Sequence, residues 1–452
     1  MEPHIFRSYD VRGIYGKDLN EEIMESIGNA FGSKIQNDCV VASDSRSSSP
    51  SLCKAFIKGV VDRGKNVVEI TDVPLGVGMF MAWQHKKSYA YITASHLAKE
   101  WNGVKFFHSS GLGFMEDENF EIRDMVLKSP VPGKGKIKTI KQGRLEKINT
   151  NKAIEVYQNY LLRRFKAEKS LKVVLDCGNG MAGPVAPGMF KKAGFEVETV
   201  FEEVDCSFPN RAPEPTSESL SALSKKVRDS DIGIAYDGDG DRMVLADETG
   251  RILDSVQTSY MILKELLKTE KGSIVANVEA SRVIDKAAKQ FGRTVIRVPV
   301  GHTFLVEAVH KQKACFGLEV SGHYCIPSVV PYDDSLAISL FVAVLLSRSD
   351  RKLSDIVNEL PVLVLKRTAA SCPDNKKFGV VERLKHRLQE EYENTNTMDG
   401  VRVDFDDAWV LIRASNTASI IRLTIEAETE KRYEELRRKF HAILENEIRQ
   451  SL

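Results

Sequence analysis

Ile232-Gly233-Ile234-Ala235-Tyr236-Asp237-Gly238-Asp239-Gly240-Asp241-Arg242 decides how this chain is read. Its first five residues are a short apolar run that reads as a buried strand. Three aspartates then alternate with two glycines. On an extended segment alternate side chains point the same way, and glycine lets the backbone bend so that the carboxylates converge. Hard oxygen ligands of this kind suit Mg²⁺, which keeps some waters and binds beside a phosphate. Arg242, next to the ion, would clamp that phosphate. Without a cation, three such carboxylates repel one another. The spacing also fits an EF-hand, with Glu248 at its twelfth position. That loop needs Gly where Arg242 stands, and helices where Met243-Val244-Leu245-Ala246 reads as a strand. A Mg²⁺–phosphate site is the expectation.

Upstream and downstream of this stretch, helical and strand patterns alternate, which argues βαβ units and mostly parallel sheets. In residues 1–149, helices at 21–31 and 50–63 alternate with strands at 40–42, 66–70 and 89–93. The last strand runs into Ala94-Ser95-His96, and ligands of such sheets bind at the carboxyl ends of strands. A basic segment from Gly133-Lys134-Gly135-Lys136 to about Asn149 lacks aromatics, reads as solvated surface, and marks the first boundary. Residues 150–250 repeat the pattern, with helices at 151–168, from Ala182 and at 216–228. Residues 251–365 repeat it again, and Leu336 to Leu346 reads as a buried helix too short to span a bilayer. From 366 to 452 the order changes to a smaller α+β unit with strands near 401–403, 409–412 and 420–425 and a charged helix at 430–448. The expected fold is therefore α/β: three similar domains with mixed sheets plus a smaller C-terminal α+β domain.

The totals exclude several classes. Among 452 residues the formal net charge is +1, which gives no electrostatic case for nucleic acid or an anionic membrane. Seven scattered cysteines without a CxxC pair argue against a disulfide framework or a zinc site, and for a reducing compartment. No signal-peptide pattern opens the chain, and a cytoplasmic protein is expected.

Five segments, in order, resemble the α-D-phosphohexomutase superfamily, closest to its phosphomannomutase/phosphoglucomutase group. Tyr9-Asp10-Val11-Arg12-Gly13 resembles its opening Y-D-x-R-G, and Thr93-Ala94-Ser95-His96 its phosphoserine loop T-A-S-H-N-P. The D-G-D-G-D-R run matches its metal loop without change. Glu319-Val320-Ser321-Gly322-His323 resembles its sugar-binding E-M-S-G-H, and Arg413-Ala414-Ser415-Asn416-Thr417 its phosphate-binding R-x-S-N-T-E-P. The resemblance implies interconversion of hexose 1-phosphate and 6-phosphate, of mannose and/or glucose, through a phosphoserine and a bisphosphorylated sugar. It implies one Mg²⁺ held by Asp237, Asp239, Asp241 and the serine oxygen, with hexose 1,6-bisphosphate as activator. Ser95 would carry the phosphate and Lys105 would move the proton. Arg12, Arg242, His96 and His302 would line the reacting centre. Tyr9, Glu319, Ser321, His323, Arg413, Ser415, Asn416 and Thr417 would hold the phosphosugar. The implied partner is that small molecule, with no nucleic acid and no membrane, in a monomer or homodimer.

The chain departs from the pattern at Leu97-Ala98 and Ala418-Ser419, where the family has Asn-Pro and Glu-Pro. It also departs at Val320, and at Glu279 where some members carry lysine. Loss of proline frees φ, so the rigidity of two loops is at issue. Asn416, rather than Gly, leans against phosphoglucosamine. Two other readings compete. A non-catalytic phosphosugar-binding paralogue would account for the altered loops. A nicotinamide-linked enzyme would account for Gly178-Asn179-Gly180-Met181-Ala182-Gly183, a G-x-G-x-x-G after a strand with Glu202 and Glu203 downstream. Against the latter, Asp176 stands where a pyrophosphate would approach.

Overall fold

In the computed structural model four sheets follow one another along the chain, and the structure describes residues 3–128, 141–415 and 419–451. The first sheet contains β1 (Asp10–Ile14), β2 (Cys39–Ser43), β3 (Val67–Ile70), β4 (Ser88–Ile92), β5 (Trp101–Phe107) and β6 (Leu145–Lys147), in the order β1-β5-β4-β2-β3-β6. Strands β4, β2, β3 and β6 run parallel, while β5 is antiparallel to β4 and to β1. The second contains β7 (Lys172–Asp176), β8 (Glu196–Val200), β9 (Ile232–Tyr236) and β10 (Met243–Asp247), ordered β10-β9-β7-β8. The third contains β11 (Ile274–Asn277), β12 (Val295–Val298), β13 (Phe316–Leu318) and β14 (Tyr324–Cys325), ordered β12-β11-β13-β14. Each of these is parallel with one antiparallel strand at an edge, β10 and β14 respectively. The fourth is wholly antiparallel: β15 (Val364–Ser371), β16 (Thr395–Asn396), β17 (Val401–Asp404), β18 (Ala408–Ala414) and β19 (Ile420–Ala427), ordered β15-β19-β18-β17-β16. The expected class, three α/β domains with mixed sheets and a smaller α+β domain, is what is observed.

One helix ties the α/β units together. Ser335–Ser347 buries all thirteen of its residues, as an all-round apolar sequence requires. Asp334 caps it by accepting from the N–H groups of Leu336 and Ala337. The helix meets β9, β10 and the helices Leu75–Gln84 and Ser255–Leu266, so a single apolar cluster runs from Val40 to Val357. The C-terminal domain closes its own core around Val410, Leu423 and Phe440. No described helix is long and apolar enough to cross a membrane.

Three local expectations change. Pro213 and Pro215 keep the chain from entering a helix at 216; Thr216 and Ser219 exchange side-chain-to-backbone bonds there, and the helix covers only Ser221–Lys226. The helix expected from Ala182 begins at Ala186, after Pro184, with Pro187 in its first turn. The helix expected at 151–168 is Thr150–Leu162. Part of the basic boundary segment, 133–140, lies outside the described residues.

Candidate active site

After β9 the three aspartates do not continue as an extended segment, as the sequence suggested. The chain turns tightly, with Gly240 at φ +78, and Asp237 Oδ1 accepts from the N–H groups of Gly240 (3.0 Å) and Arg242 (3.2 Å). Convergence comes from the bend rather than from strand alternation. All three carboxylates are buried, and one oxygen of each lies within 4.8 Å of the others. At that separation two carboxylates repel by about 3 kcal/mol at an effective dielectric near 20. Burial, then Asp241 and Asp239, pushes Asp237 well above the ordinary carboxyl range. For Asp241 burial pushes the same way, but Lys105, His323 and Arg242 outweigh it and hold the group well below that range. Asp239 Oδ1 and Asp241 Oδ1 are buried without a hydrogen-bond partner among the described residues. Orphaned hard oxygens converging on one point fit a divalent cation such as Mg²⁺.

Lys105, on β5, reaches this cluster from the first sheet. Its Nζ is 3.1 Å from Asp239 Oδ2 and 2.6 Å from Asp241 Oδ2, and it is 4% exposed. Burial favours the neutral amine, yet the two aspartates win and raise its pKa above the usual lysine value. Lys105 is therefore an ammonium here and not a solvated surface lysine.

Ser95 arrives from the end of β4 at φ +51, the left-handed region that non-glycine residues seldom occupy. Its Oγ donates to Asp237 Oδ2 at 3.1 Å and lies 3.3 Å from His96 Nδ1. The hydroxyl thus faces the acidic cluster. The two loops touch closely: a Cβ on Gly238 would stand 2.6 Å from the Ser95 carbonyl oxygen. Arg12, on β1, donates to the Ala94 carbonyl at 2.6 Å and pairs with Asp10. Burial, then Arg242, Arg12 and Lys105, lowers the His96 pKa to about 2, so this imidazole is neutral.

On the far side, Arg242 Nε donates to His323 Nε2 at 3.1 Å and lies 3.9 Å from Asp237. His302 and His323 stack at 5.1 Å, with Nδ1 of each turned to Asp333 Oδ2, at 3.2 and 3.0 Å. Burial opposes protonation of His302, but Asp333 more than compensates and its pKa rises. Asp333 was not foreseen; an aspartate pair preceding an apolar helix signals only a cap.

Glu319 and Ser321 lie just past the end of a strand. β13 ends at Leu318, and residues 319–322 form a turn closed by Gly322 N–H on the Glu319 carbonyl. Ser321 Oγ donates to Glu319 Oε1 at 2.7 Å, and Gly301 N–H to Oε2 at 3.0 Å. Arg413, at the end of β18, pairs with Glu279 (3.0 Å) and Asp399 (3.5 Å). Tyr9 stacks edge-on with Phe304, and burial, then Glu116, Asp399 and Glu319, raises its phenol pKa. Ser415 is buried beside Arg413, while Asn416 and Thr417 lie outside the described residues.

The glycine-rich loop spends its donors on protein. Gly178 N–H goes to Asp176 Oδ1 and Met181 N–H to the Gly238 carbonyl. Arg211 bridges Asp176 (2.9 Å) and the Tyr236 carbonyl (2.6 Å). The loop therefore buttresses the aspartate turn rather than presenting amides to a dinucleotide.

Comparison with known proteins agrees along the whole chain. Four family models match: phosphoglucomutase/phosphomannomutase alpha/beta/alpha domain I at residues 3–130, domain II at 155–250, domain III at 254–363, and the C-terminal domain at 368–443. A probable phosphoglucosamine mutase of Methanopyrus kandleri is 33% identical over 96% of each chain. A phosphomannomutase/phosphoglucomutase of Pseudomonas putida is 31% identical over 97% of this chain and 95% of its own. A phosphoglucomutase/phosphomannomutase family protein from Burkholderia thailandensis superposes with TM-score 0.89 at 27% identity, covering 99% of this chain and 98% of its own.

Proposed function

The chain belongs to the phosphoglucomutase/phosphomannomutase family, and from that premise we propose that it interconverts hexose 1-phosphate and 6-phosphate through a phosphate carried on Ser95. The observation that carries the reading is the Ser95 hydroxyl, 3.1 Å from Asp237 at the edge of a buried carboxylate cluster. Residues 1–149 bring the serine and 150–250 the aspartates. Residues 251–365 bring Glu319 and the two histidines, and 366–452 bring Arg413.

In this reading the Oγ–P bond of phospho-Ser95 breaks as a sugar hydroxyl forms a new P–O bond, giving a hexose 1,6-bisphosphate. The bisphosphate turns round, and its other phosphate returns to Ser95. Asp237, Asp239 and Asp241 would hold a Mg²⁺, which when bound would supply positive charge to the transferring phosphoryl oxygens. Arg12 and Arg242 add fixed cationic donors on either side. Lys105, held as an ammonium, can give a proton to the departing Ser95 oxygen and, as the amine so formed, take the proton of the attacking sugar hydroxyl. Glu319 and Ser321, already bonded to each other, offer one acceptor edge to sugar hydroxyls. Arg413 must exchange Glu279 and Asp399 for the non-transferring phosphate.

Mannose and glucose phosphates are the first candidates, as the motif set suggests. A second reading, a 2-amino sugar phosphate, is favoured by the carboxylates of Glu279, Asp399 and Glu319 around Tyr9 and Arg413, which suit an ammonium. Relatives named as phosphoglucosamine mutases support it. The test is a phosphopeptide map of the purified protein, then turnover of glucose, mannose and glucosamine phosphates with a bisphosphate activator. Phosphate on Ser95 and turnover abolished by Ser95→Ala are expected. Activity retained in that variant ends the reading; binding without turnover on any of the sugars would instead support a non-catalytic paralogue.

A further inference from the structure

The stretch from Ser95 to Glu100 forms no helix or strand, and Ser95-His96-Leu97-Ala98-Lys99-Glu100, which leads into β5 at Trp101, contains neither proline nor glycine. Nothing in its own sequence explains why it should hold a serine at positive φ. The explanation lies fifty residues away. Arg46, 1% exposed, places every donor of its guanidinium on one side of this loop or its anchor. Nη2 donates to the carbonyls of Ser95 (2.9 Å) and Leu97 (2.7 Å). Nη1 donates to those of Ala98 (2.7 Å) and Trp101 (3.1 Å). Nε donates to Asp44 Oδ2 at 3.0 Å.

Asp44 extends the grip. Thr93 Oγ1 donates to Asp44 Oδ2 at 2.8 Å and accepts from the Ser95 N–H at 2.8 Å. Ser95 is thus held at its N–H through Thr93 and at its carbonyl through Arg46, both anchored on one carboxylate. A left-handed non-glycine residue persists only where its surroundings over-determine it, and here they do. The same Ser95 carbonyl is the atom that Gly238 of the aspartate turn approaches most closely.

We propose that Arg46 is a positioning residue for phosphoryl transfer: its fan of four carbonyl bonds fixes the Ser95 loop against the aspartate turn, in place of rigidity in the loop's own sequence. The inference rests on Ser95 being the phosphate carrier. A loop displaced by about 1 Å would lower the chemical step by roughly a hundredfold while leaving the sugar contacts and the three aspartates expected to carry most of the metal affinity, all on other segments, in place.

The test uses the full-length protein with Arg46→Lys, which keeps the charge and loses the fan, and Ala98→Gly, which loosens the loop and keeps Arg46. For Arg46→Lys the expected result is a kcat about a hundredfold lower, with KM for the sugar phosphate and the Mg²⁺ half-saturation within about threefold of wild type. Hydrogen exchange at the amides of Ser95, Leu97 and Trp101 should quicken about tenfold while amides of β9 hold their rates. Ala98→Gly should stay within about threefold of wild-type kcat. The proposal is overturned if Arg46→Lys keeps kcat, or if its KM and Mg²⁺ constants move together with kcat. It is equally overturned if the loop amides exchange at wild-type rates. Should Arg46→Lys fail to fold, Ala98→Gly decides alone, and a drop beyond about tenfold contradicts the clamp. If wild-type protein shows no Ser95 phosphorylation, the mutase reading fails separately and the exchange measurement still judges the clamp.

Discussion

Lys105→Met probes the electrostatics of the site most sharply. In the wild-type protein one ammonium lies 2.6 Å from Asp241 and 3.1 Å from Asp239, all three groups buried. Removing one partner of a buried pair costs about 3–5 kcal/mol, because the remaining charge is left uncompensated. Here two carboxylates are left facing Asp237, and protonation relieves part of the repulsion, so about 3 kcal/mol is the expected loss. The loss should depend on the metal. A divalent cation on the free oxygens of the same carboxylates offsets the missing charge, and at a hundredfold excess over its Kd it stabilises the variant by about 2.7 kcal/mol over its metal-free state. Thermal or denaturant unfolding in EDTA and in Mg²⁺ measures both numbers. The variant should be clearly less stable than wild type in EDTA, and should close part of the gap in Mg²⁺ because it binds the ion more tightly with no ammonium repelling it. Equal stability in EDTA, or an unchanged Mg²⁺ affinity, would refute the reasoning.

Other perturbations follow from the same geometry. Gly238→Ala places a methyl 2.6 Å from the Ser95 carbonyl, so turnover should fall at least about a hundredfold, and a variant within tenfold of wild type would contradict the close approach. Asp333→Asn removes the carboxylate that raises the His302 pKa, so an NMR titration should place His302 lower than in wild type; an unmoved midpoint would show that Asp333 is not the cause. Asp334 is a separate case: burial raises its pKa to about 6, against the opposing bonds from Tyr157 and the helix N–H groups. A carboxyl raised in the folded state costs nothing below the unfolded value. Its cost grows between about pH 4 and 6 and levels above that, at roughly 3 kcal/mol. Asp334→Asn keeps the cap and should gain stability over wild type across that window, with no gain at pH 3; a pH-independent difference would contradict the assignment.

The parts of this molecule that can be read from its sequence are those whose signal is local. The apolar run before Asp237, the apolar Leu336–Leu346 interrupted only by Ser339, and the alternation of helix and strand each report a nearby structural consequence. The Asp237–Asp241 run was legible as chemistry because residue type and spacing suffice, whereas Ser95 was legible only through the family resemblance. That the glycines would let the chain bend was legible too; the path of the bend was not, since glycine permits many. Asp333, Arg46 and the Asp176–Arg211 pair were invisible for another reason. Each acts on groups far along the chain, Arg46 on the carbonyls of Ser95 to Trp101 and Arg211 on Tyr236, and no periodicity marks such pairings. The apparent dinucleotide loop illustrates the converse, because its glycines are required by close packing, Gly180 on Gly238, Gly178 on Arg211 and Gly183 on the Glu202 carbonyl, and not by a phosphate.

The account stands or falls on whether the Ser95 oxygen delivers a phosphoryl group beside the three aspartates. Single-turnover mixing of protein phosphorylated at Ser95 with a hexose monophosphate, with and without Mg²⁺, measures this directly by following phosphate on the protein and in the sugar pool. Mg²⁺-dependent loss of phosphate from Ser95, matched by a stoichiometric appearance of hexose bisphosphate, is the predicted result. Phosphate that remains on Ser95, or that is released only as inorganic phosphate, would contradict it.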